Sequence, residues 1–279
     1  MAVWRDACVI AGLTAGCWVL CGAMPAAAAD QASARQACGG DEIARGTVSR
    51  IIDGRTFALD DGREVRLAAI EVAPLVAPHD AATTAVARAA AAALSALAAG
   101  DQVALRRAEN GADRYGRLVA YAYTVRDGDE FLLQRELVAD GFARVGDHIA
   151  GACAGDLLDR EKAARQAKLG LWADPYYEVL NAETAQDALA HRGRFTLVEG
   201  KVASVRESGP TIYVNFGRRR VGDITVTVLK RNERNFAAAG LDLRTLAGRR
   251  IRVRGWVEAR SGDRAWIEAE RPGQIELAD

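Results

Sequence analysis

The chain has 279 residues, of which half are hydrophobic and only 6% are aromatic. This composition excludes a disordered chain, and the length suits two modest domains that each bury a core. Its 37 basic side chains balance 37 acidic ones, but residues 30–190 carry a net charge of −7 and residues 191–279 one of +7. Binding to a polyanion through bulk charge is therefore expected of the C-terminal part.

The N-terminal segment has the pattern of a secretory signal peptide. Arg5 precedes an uncharged run, Ala7–Met24, and Ala27 and Ala29 are spaced as an A-x-A cleavage site. We therefore expect residues 1–29 to be removed during export and the mature protein to be periplasmic or secreted, with no membrane span. The alternative is an uncleaved membrane anchor, because the apolar run is long for a signal peptide.

Removal of this segment would leave two cysteines in the mature chain, Cys38 and Cys153. Two cysteines in an oxidising compartment are expected to form a disulfide. The alternative is a pair of unbonded thiols that have no role.

A polar lead-in, residues 30–45, is followed by three predicted strands in Gly46–Pro74. The β-forming residues of this stretch are interrupted by Asp53-Gly54 and by Asp60-Asp61-Gly62, which indicate tight turns. Next, Ala81–Ala99 predicts a helix that lies on a barrel. A membrane span is disfavoured there because alanine is only weakly hydrophobic.

Two more strands and two helices complete this half of the chain: Gln102–Arg107, Arg117–Val125, Leu133–Val145 with a glycine stop at Gly141, and Asp156–Leu171. Five strands with helices after the third and the fifth fit an OB-type barrel.

The remainder consists of a linker, residues 175–192, and a predicted second domain, residues 193–279. The pattern there is three strands, a helix and two strands: Phe195–Arg206, Thr211–Phe216, Ile224–Leu229, Arg231–Ala239, Ile251–Arg260 and Ala265–Ala269. That order again fits an OB-like β domain. The predicted fold class is therefore α+β, a β-barrel with helices followed by an OB-like β domain.

Two segments, Gly46–Pro74 and Asp113–Tyr123, together resemble the thermonuclease family. The resemblance covers residues 46–174 and implies a five-stranded barrel with three helices. It also implies a secreted nuclease with a Ca²⁺ ion held by acidic side chains, a general-base glutamate and two phosphate-binding arginines. In such a fold, the chain before the first strand and the loop before the last helix approach each other, as a bond between the two cysteines would require.

The arginines implied by the resemblance are Arg66, in the Arg-Leu segment, and Arg117, in the segment Asp113–Arg117. A guanidinium group is permanently charged and forked, so it suits a bidentate phosphate contact. Glu71 stands where the family has a ligand aspartate, and Tyr115 belongs to the same motif as Arg117. We therefore interpret Arg66, Glu71 and Arg117 as the remnant of the catalytic set, with Tyr115 as a ligand-binding residue.

The chain departs from the family pattern at two positions. Arg55 replaces a metal-ligand aspartate in the turn Asp53–Thr56, and Pro74 replaces the general-base glutamate. Ca²⁺ prefers six to eight oxygen ligands, so the Ca²⁺ that the family implies is not expected and no cofactor is predicted. Arg55 would instead add a third cation to the phosphate-binding cleft.

The resulting hypothesis is an exported, thermonuclease-like protein that binds nucleic acid or another phosphate-bearing ligand through a degenerate catalytic site. One alternative is an active metal-dependent phosphodiesterase with a rearranged acidic site. A second alternative is an envelope scaffold that uses both barrels for protein contacts; no protein partner can be named.

Strand alternation predicts an outward aromatic and basic surface on the second domain. Tyr213 points outward from one strand, and Arg252, Arg254 and Trp256 point outward from another. Exposed rings and guanidinium groups are typical of surfaces that bind single-stranded nucleic acid, and Arg218-Arg219-Arg220 lies nearby in the sequence. Alternatively, Trp256 and Trp266 form a cross-strand pair, or the patch docks the first barrel.

Overall fold

The structure, a computed structural model, describes residues 38–75, 81–126, 128–149, 152–182, 188–217, 224–260 and 264–278. The expected signal peptide and Arg218-Arg219-Arg220 lie outside these residues. Within the described part of the chain, none of the helices combines the length and apolarity that a membrane crossing requires.

The first half of the chain forms a closed barrel. Its strands are β1 (Glu42–Asp53), β2 (Thr56–Leu59), β3 (Glu64–Leu67), β4 (Ile70–Glu71), β5 (Gln102–Ala112), β6 (Leu118–Arg126), β7 (Asp129–Leu132) and β8 (Arg144–Val145). Antiparallel pairing joins β3, β2, β1, β5 and β6 in that order, and parallel pairing of β3 with β6 closes the ring. The short strand β4 pairs with β8 away from the ring, so that Glu71 lies opposite Arg144.

Three helices accompany this barrel: α1 (Ala81–Ala98), α2 (Leu133–Ala139) and α3 (Ala152–Gln166). The helix predicted over Leu133–Val145 is too long, because its last residues form β8 instead. The chain turns at Gly141, which has a φ of 74°. A side chain at Gly141 would also collide with the backbone of Leu169, since its Cβ would lie 2.3 Å from the carbonyl oxygen.

The second half forms another ring of strands, accompanied by helix α4 (Lys230–Ala238). Its strands are β9 (Leu180–Asn181), β10 (Phe195–Lys201), β11 (Ser204–Ser208), β12 (Thr211–Asn215), β13 (Ile224–Leu229), β14 (Arg250–Arg260), β15 (Arg264–Glu268) and β16 (Ile275–Leu277). The order is β11-β12-β13-β15-β14-β10. The two ends of this order, β10 and β11, are consecutive in the sequence and only two residues apart, so the connection between them completes the ring.

Both rings therefore follow the OB-type order. In the first ring β3 lies parallel to β6, and in the second β13 lies parallel to β15. The fold is α+β, with a separate buried apolar cluster inside each ring.

A third apolar cluster joins the two barrels. Phe195 and Leu197 of β10 pack against residues of the first half and the connecting segment: Ala73, Ala87, Ala164, Leu171, Trp172 and Tyr177. The outward face of β10 is thus covered by the first barrel.

Arg254 belongs to the same covered face, and its prediction as a solvent-facing residue is wrong. It does point away from the core of its own barrel, but it is 0% exposed. Its guanidinium group bonds Glu161 of α3, with Nη2 2.6 Å from Oε2, and the carbonyl oxygen of Val145. Strand alternation identifies a face of the sheet, but not what packs on it.

The predicted disulfide is confirmed. Cys38 and Cys153 are bonded, and the bridge closes a loop with a sequence separation of 115 residues. It ties the segment before β1 to helix α3, and the hydroxyl of Tyr123 donates to the carbonyl oxygen of Cys38 at 2.7 Å.

Candidate functional site

A tight turn between β1 and β2 positions Arg55. The carboxylate of Asp53 accepts the backbone N–H of Arg55 at 2.8 Å. Gly54 lies against helix α1, where a Cβ would come within 2.6 Å of the Cβ of Ala90. The guanidinium group of Arg55 then donates to the carbonyl oxygen of Ile70 at 3.1 Å and lies 2.5 Å from Oε1 of Glu71.

Arg66 extends from β3 toward the same carboxylate. Its Nη2 lies 3.4 Å from Oε1 of Glu71, and its Nη1 lies 3.9 Å from Oδ2 of Asp113. Burial lowers the pKa of Arg66, and the neighbouring charges of Arg55 and Arg117 lower it further. A guanidinium group remains protonated in proteins even so, and the shift indicates a crowded cationic site.

Asp113 organises the third arginine. Its Oδ2 accepts Nε and Nη2 of Arg117 at 2.8 and 2.7 Å, and its Oδ1 accepts the backbone N–H groups of Tyr115 and Arg117. Burial alone would raise the pKa of Asp113, but the hydrogen bonds from Arg117 and from the turn outweigh it and lower that pKa. The carboxylate is therefore a stable anchor for Arg117.

Tyr115 is the most open member of this group. Tyr115 is 67% exposed, and the guanidinium carbons of Arg114 and Arg117 lie 4.9 and 5.2 Å from its ring centroid. The exposed ring therefore lies against two cations at the edge of the group.

The structure thus brings together most of the residues that the sequence singled out. Arg55, Arg66 and Arg117 share the two carboxylates of Glu71 and Asp113, with Tyr115 at the edge. We call Arg55, Arg66 and Arg117 the arginine cluster.

Two cavities meet at this cluster. The larger, about 630 Å³, is lined on one side by Arg66, Glu71, Asp113 and Arg114. The other, about 430 Å³, lies between the barrels and includes Arg55 and Glu71 in its wall. Both volumes are in the range of small-molecule sites, and Glu71 lines both.

The two candidate ligand-binding residues on the second barrel, Trp256 and Tyr213, lie at different places. Trp256 lines the cavity between the barrels, together with Arg55. Tyr213 packs edge-on against Trp266, with 5.8 Å between ring centroids. Trp266 lies opposite Glu258, so the proposed cross-strand pairing of Trp256 with Trp266 is wrong by two residues.

Sequence reasoning missed Arg144, which lines the cavity between the barrels. The residue lies in the predicted helical stretch Leu133–Val145, beyond the glycine stop at Gly141, and no motif marks it. The one usable signal was the glycine, which allows the chain to leave the helix before Arg144.

The acidic side chains of the site are occupied by arginines. Oε1 of Glu71 contacts Arg55 and Arg66, and both oxygens of Asp113 accept hydrogen bonds. Among the residues that the structure describes, no group of three or more His, Cys, Asp or Glu side chains is placed to hold a metal ion.

Comparison with known proteins agrees with the fold of the first barrel. Residues 64–174 match the family model described as staphylococcal nuclease homologue, whereas no curated protein matches the chain. A domain of this type fits a nuclease-type or nucleic-acid-binding function. The first barrel is therefore thermonuclease-like, and over residues 64–174 the chain is similar to the staphylococcal nuclease homologue family.

Proposed function

We propose that the first barrel binds the phosphate groups of nucleic acid, or of another phosphate-bearing ligand, without hydrolysing them. The observation that carries the proposal is the arginine cluster, in which three guanidinium groups share two carboxylates. The cluster therefore keeps an excess of positive charge beside a cavity of about 630 Å³. Forked guanidinium groups form paired hydrogen bonds with phosphate oxygens.

The proposed lack of hydrolysis rests first on Pro74. Pro74 stands at the position of the family's general base and has no group that accepts a proton. General acid–base catalysis typically contributes about 10²–10⁴-fold, and a pair of arginines does not replace it. The proposal therefore assigns no bond-breaking step to this site.

The residues present do not fit the Ca²⁺ ion that the family implies. Ca²⁺ takes about six to eight oxygen ligands, several of them carboxylates. Here the guanidinium group of Arg55 lies against Glu71, where it would repel a cation, and Asp113 is engaged by Arg117. We therefore propose that the site acts without a metal.

The proposed location is outside the cytoplasm, in the periplasm or the medium. The disulfide between Cys38 and Cys153 supports this assignment, because such bonds persist in oxidising compartments.

Phosphate binding is tested by calorimetry with inorganic pyrophosphate. Arg66→Ala is expected to weaken binding about 10- to 150-fold, the usual effect of losing a hydrogen bond to a charged group. Arg63→Ala is the matched control, because Arg63 is an exposed arginine before β3 that pairs with Asp61. Equal affinity in the wild type and Arg66→Ala would overturn the proposal and favour the scaffold alternative.

Hydrolysis is tested on single-stranded DNA with Ca²⁺ or Mg²⁺, with the variant Arg55→Asp/Pro74→Glu as a comparison that restores two carboxylates. The wild type is expected to show no metal-stimulated cleavage. Turnover at an ordinary enzymatic rate would contradict the proposal and establish the phosphodiesterase alternative.

A further inference from the structure

We propose that the cavity between the two barrels, which we call the interbarrel cleft, binds a base of single-stranded nucleic acid. The phosphate of the same nucleotide would lie on the arginine cluster, so this inference deepens the proposed function and rests on it. The cleft has a volume of about 430 Å³ and is lined by residues of both barrels and of the segment that connects them.

Arg144 is a buried cation in the wall of the cleft. It is 7% exposed, and its guanidinium carbon lies 5.0 Å from the ring centroids of both Tyr177 and Phe195. Its Nε has no hydrogen-bond partner, and no ion pair joins it to a carboxylate among the described residues. The two rings offset the buried charge only in part, and a buried Nε without a hydrogen-bond partner is unfavourable, so this arrangement points to a ligand that accepts hydrogen bonds.

The lining of the cleft is rich in aromatic residues. Tyr176, Tyr177, Phe195 and Trp256 supply four of the fifteen residues around the cleft, in a chain with only 6% aromatic residues. Such enrichment is typical of sites that stack nucleobases, because every base presents a flat π-face.

Trp256 is the ring best placed to receive a base. It is 44% exposed, and it is fixed by an edge-on contact with Phe195, with 5.9 Å between centroids. On the connecting segment, the guanidinium group of Arg194 covers the ring of Tyr176 at 4.5 Å. A base entering the cleft would meet one exposed ring and cations that suit its carbonyl oxygens and phosphate.

The cleft also adjoins the phosphate site. Arg55 and Glu71 lie in its wall, and Glu71 lines the larger cavity as well. A nucleotide with its base between the barrels therefore has its phosphate beside Arg55. This continuity favours a nucleic acid over an unrelated aromatic ligand.

The cleft is complete only while the barrels are docked. Phe195 and Trp256 come from the second barrel, whereas Arg144 comes from the first. Glu161 links the two parts, because it bonds Arg254 and also accepts the backbone N–H of Val145 at 2.9 Å, next to Arg144. The second barrel is thus part of the ligand site.

The test compares two probes on the full mature chain: a ten-residue oligothymidylate, which has bases, and inorganic pyrophosphate, which has none. Trp256→Ala is expected to weaken oligothymidylate binding about 5- to 150-fold, the range for losing one base–aromatic stack, and to leave pyrophosphate binding unchanged. Trp256→Phe keeps a ring and is expected to retain most of the affinity. Trp266→Ala, on the same barrel but outside the cleft lining, is the matched control.

Unchanged oligothymidylate affinity in Trp256→Ala would overturn the inference while the effect of Arg66→Ala on pyrophosphate still upheld the proposed function. A loss of oligothymidylate affinity in Trp266→Ala but not in Trp256→Ala would place the base near Tyr213, outside the interbarrel cleft. That result would also overturn the inference. Equal losses for both probes in Trp256→Ala would contradict base stacking. Failure of the wild type to bind either probe would instead reject the proposed function itself.

Discussion

Arg254 of the second barrel and Glu161 of helix α3 form an ion pair in which both residues are fully buried. Burial alone would lower the pKa of Arg254, but the carboxylates of Glu161 and Glu276 outweigh that effect and raise it. The charge of Arg254 is therefore maintained by partners on both barrels, and the ion pair fixes how the barrels meet.

The first prediction concerns this pair. Arg254→Met leaves Glu161 as a buried charge without its main partner, so we expect the free energy of unfolding to fall by about 3–5 kcal/mol. Urea denaturation at neutral pH measures the change. Arg250→Met is the control on the same strand, because the Arg250 side chain is 48% exposed and such pairs contribute about 0–1 kcal/mol. Similar losses in both variants would show that burial of the pair does not matter.

The second prediction separates anion binding from metal binding at Glu71. Its carboxylate offsets the charges of Arg55 and Arg66, so Glu71→Gln makes the cluster more positive. A unit charge about 10 Å away at an effective dielectric constant of about 20 contributes about 1.7 kcal/mol. We therefore expect pyrophosphate binding to tighten about tenfold, measured by calorimetry. A weaker affinity after this change would indicate that Glu71 serves as a ligand for a metal ion.

Glu64→Gln provides the control for that experiment. Glu64 lies in the same strand as Arg66, but its side chain is 44% exposed and faces Arg50 at 4.0 Å. We expect its replacement to leave the affinity for pyrophosphate unchanged, because solvent screens an exposed charge.

The third prediction concerns the disulfide. Replacing Cys38 and Cys153 by serine removes a cross-link across 115 residues, for which the chain-entropy model gives about 4–5 kcal/mol. We expect the midpoint of urea denaturation to fall accordingly. The wild type treated with a reductant should approach the variant, while the reductant leaves the variant itself unaffected. A variant as stable as the oxidised wild type would contradict the prediction.

Much of the first barrel follows from local sequence signals. The strands of Gly46–Pro74 are predictable because β-forming residues surround two Asp-Gly turns, which mark where one strand ends and the next begins. Arg66 and Arg117 were identified because short motifs surround them. Local signals therefore sufficed wherever the neighbouring residues in sequence are also the neighbours in space.

Other features depend on contacts between distant segments. Arg144 belongs to a two-residue strand that exists only through its pairing with β4, so no local period reveals it. Arg254 was placed on the correct face of its strand, yet its burial depends on α3, which lies far away in the sequence. The interbarrel cleft could not be predicted either, because its two walls come from different barrels.

The last prediction concerns pH and Asp156 in helix α3. Arg135 contacts its two oxygens at 3.0 Å each, and Arg160 contacts Oδ1 at 3.1 Å. Burial alone would raise the pKa of Asp156, but these arginines outweigh it and lower the pKa. The pKa of Asp156 is lower in the folded protein than in the unfolded chain, where it is about 3.9. Its ion pairs therefore stabilise the fold above the unfolded pKa, and this stabilisation is lost as the pH falls through the folded pKa. Asp156→Asn should therefore lower the free energy of unfolding by about 1 kcal/mol at pH 7, and urea curves of the two proteins should converge in acid.

The same substitution at the exposed Asp159 of this helix is the control and should have little effect on the free energy of unfolding. A stability difference between Asp156→Asn and the wild type that persisted in acid would point to packing rather than charge.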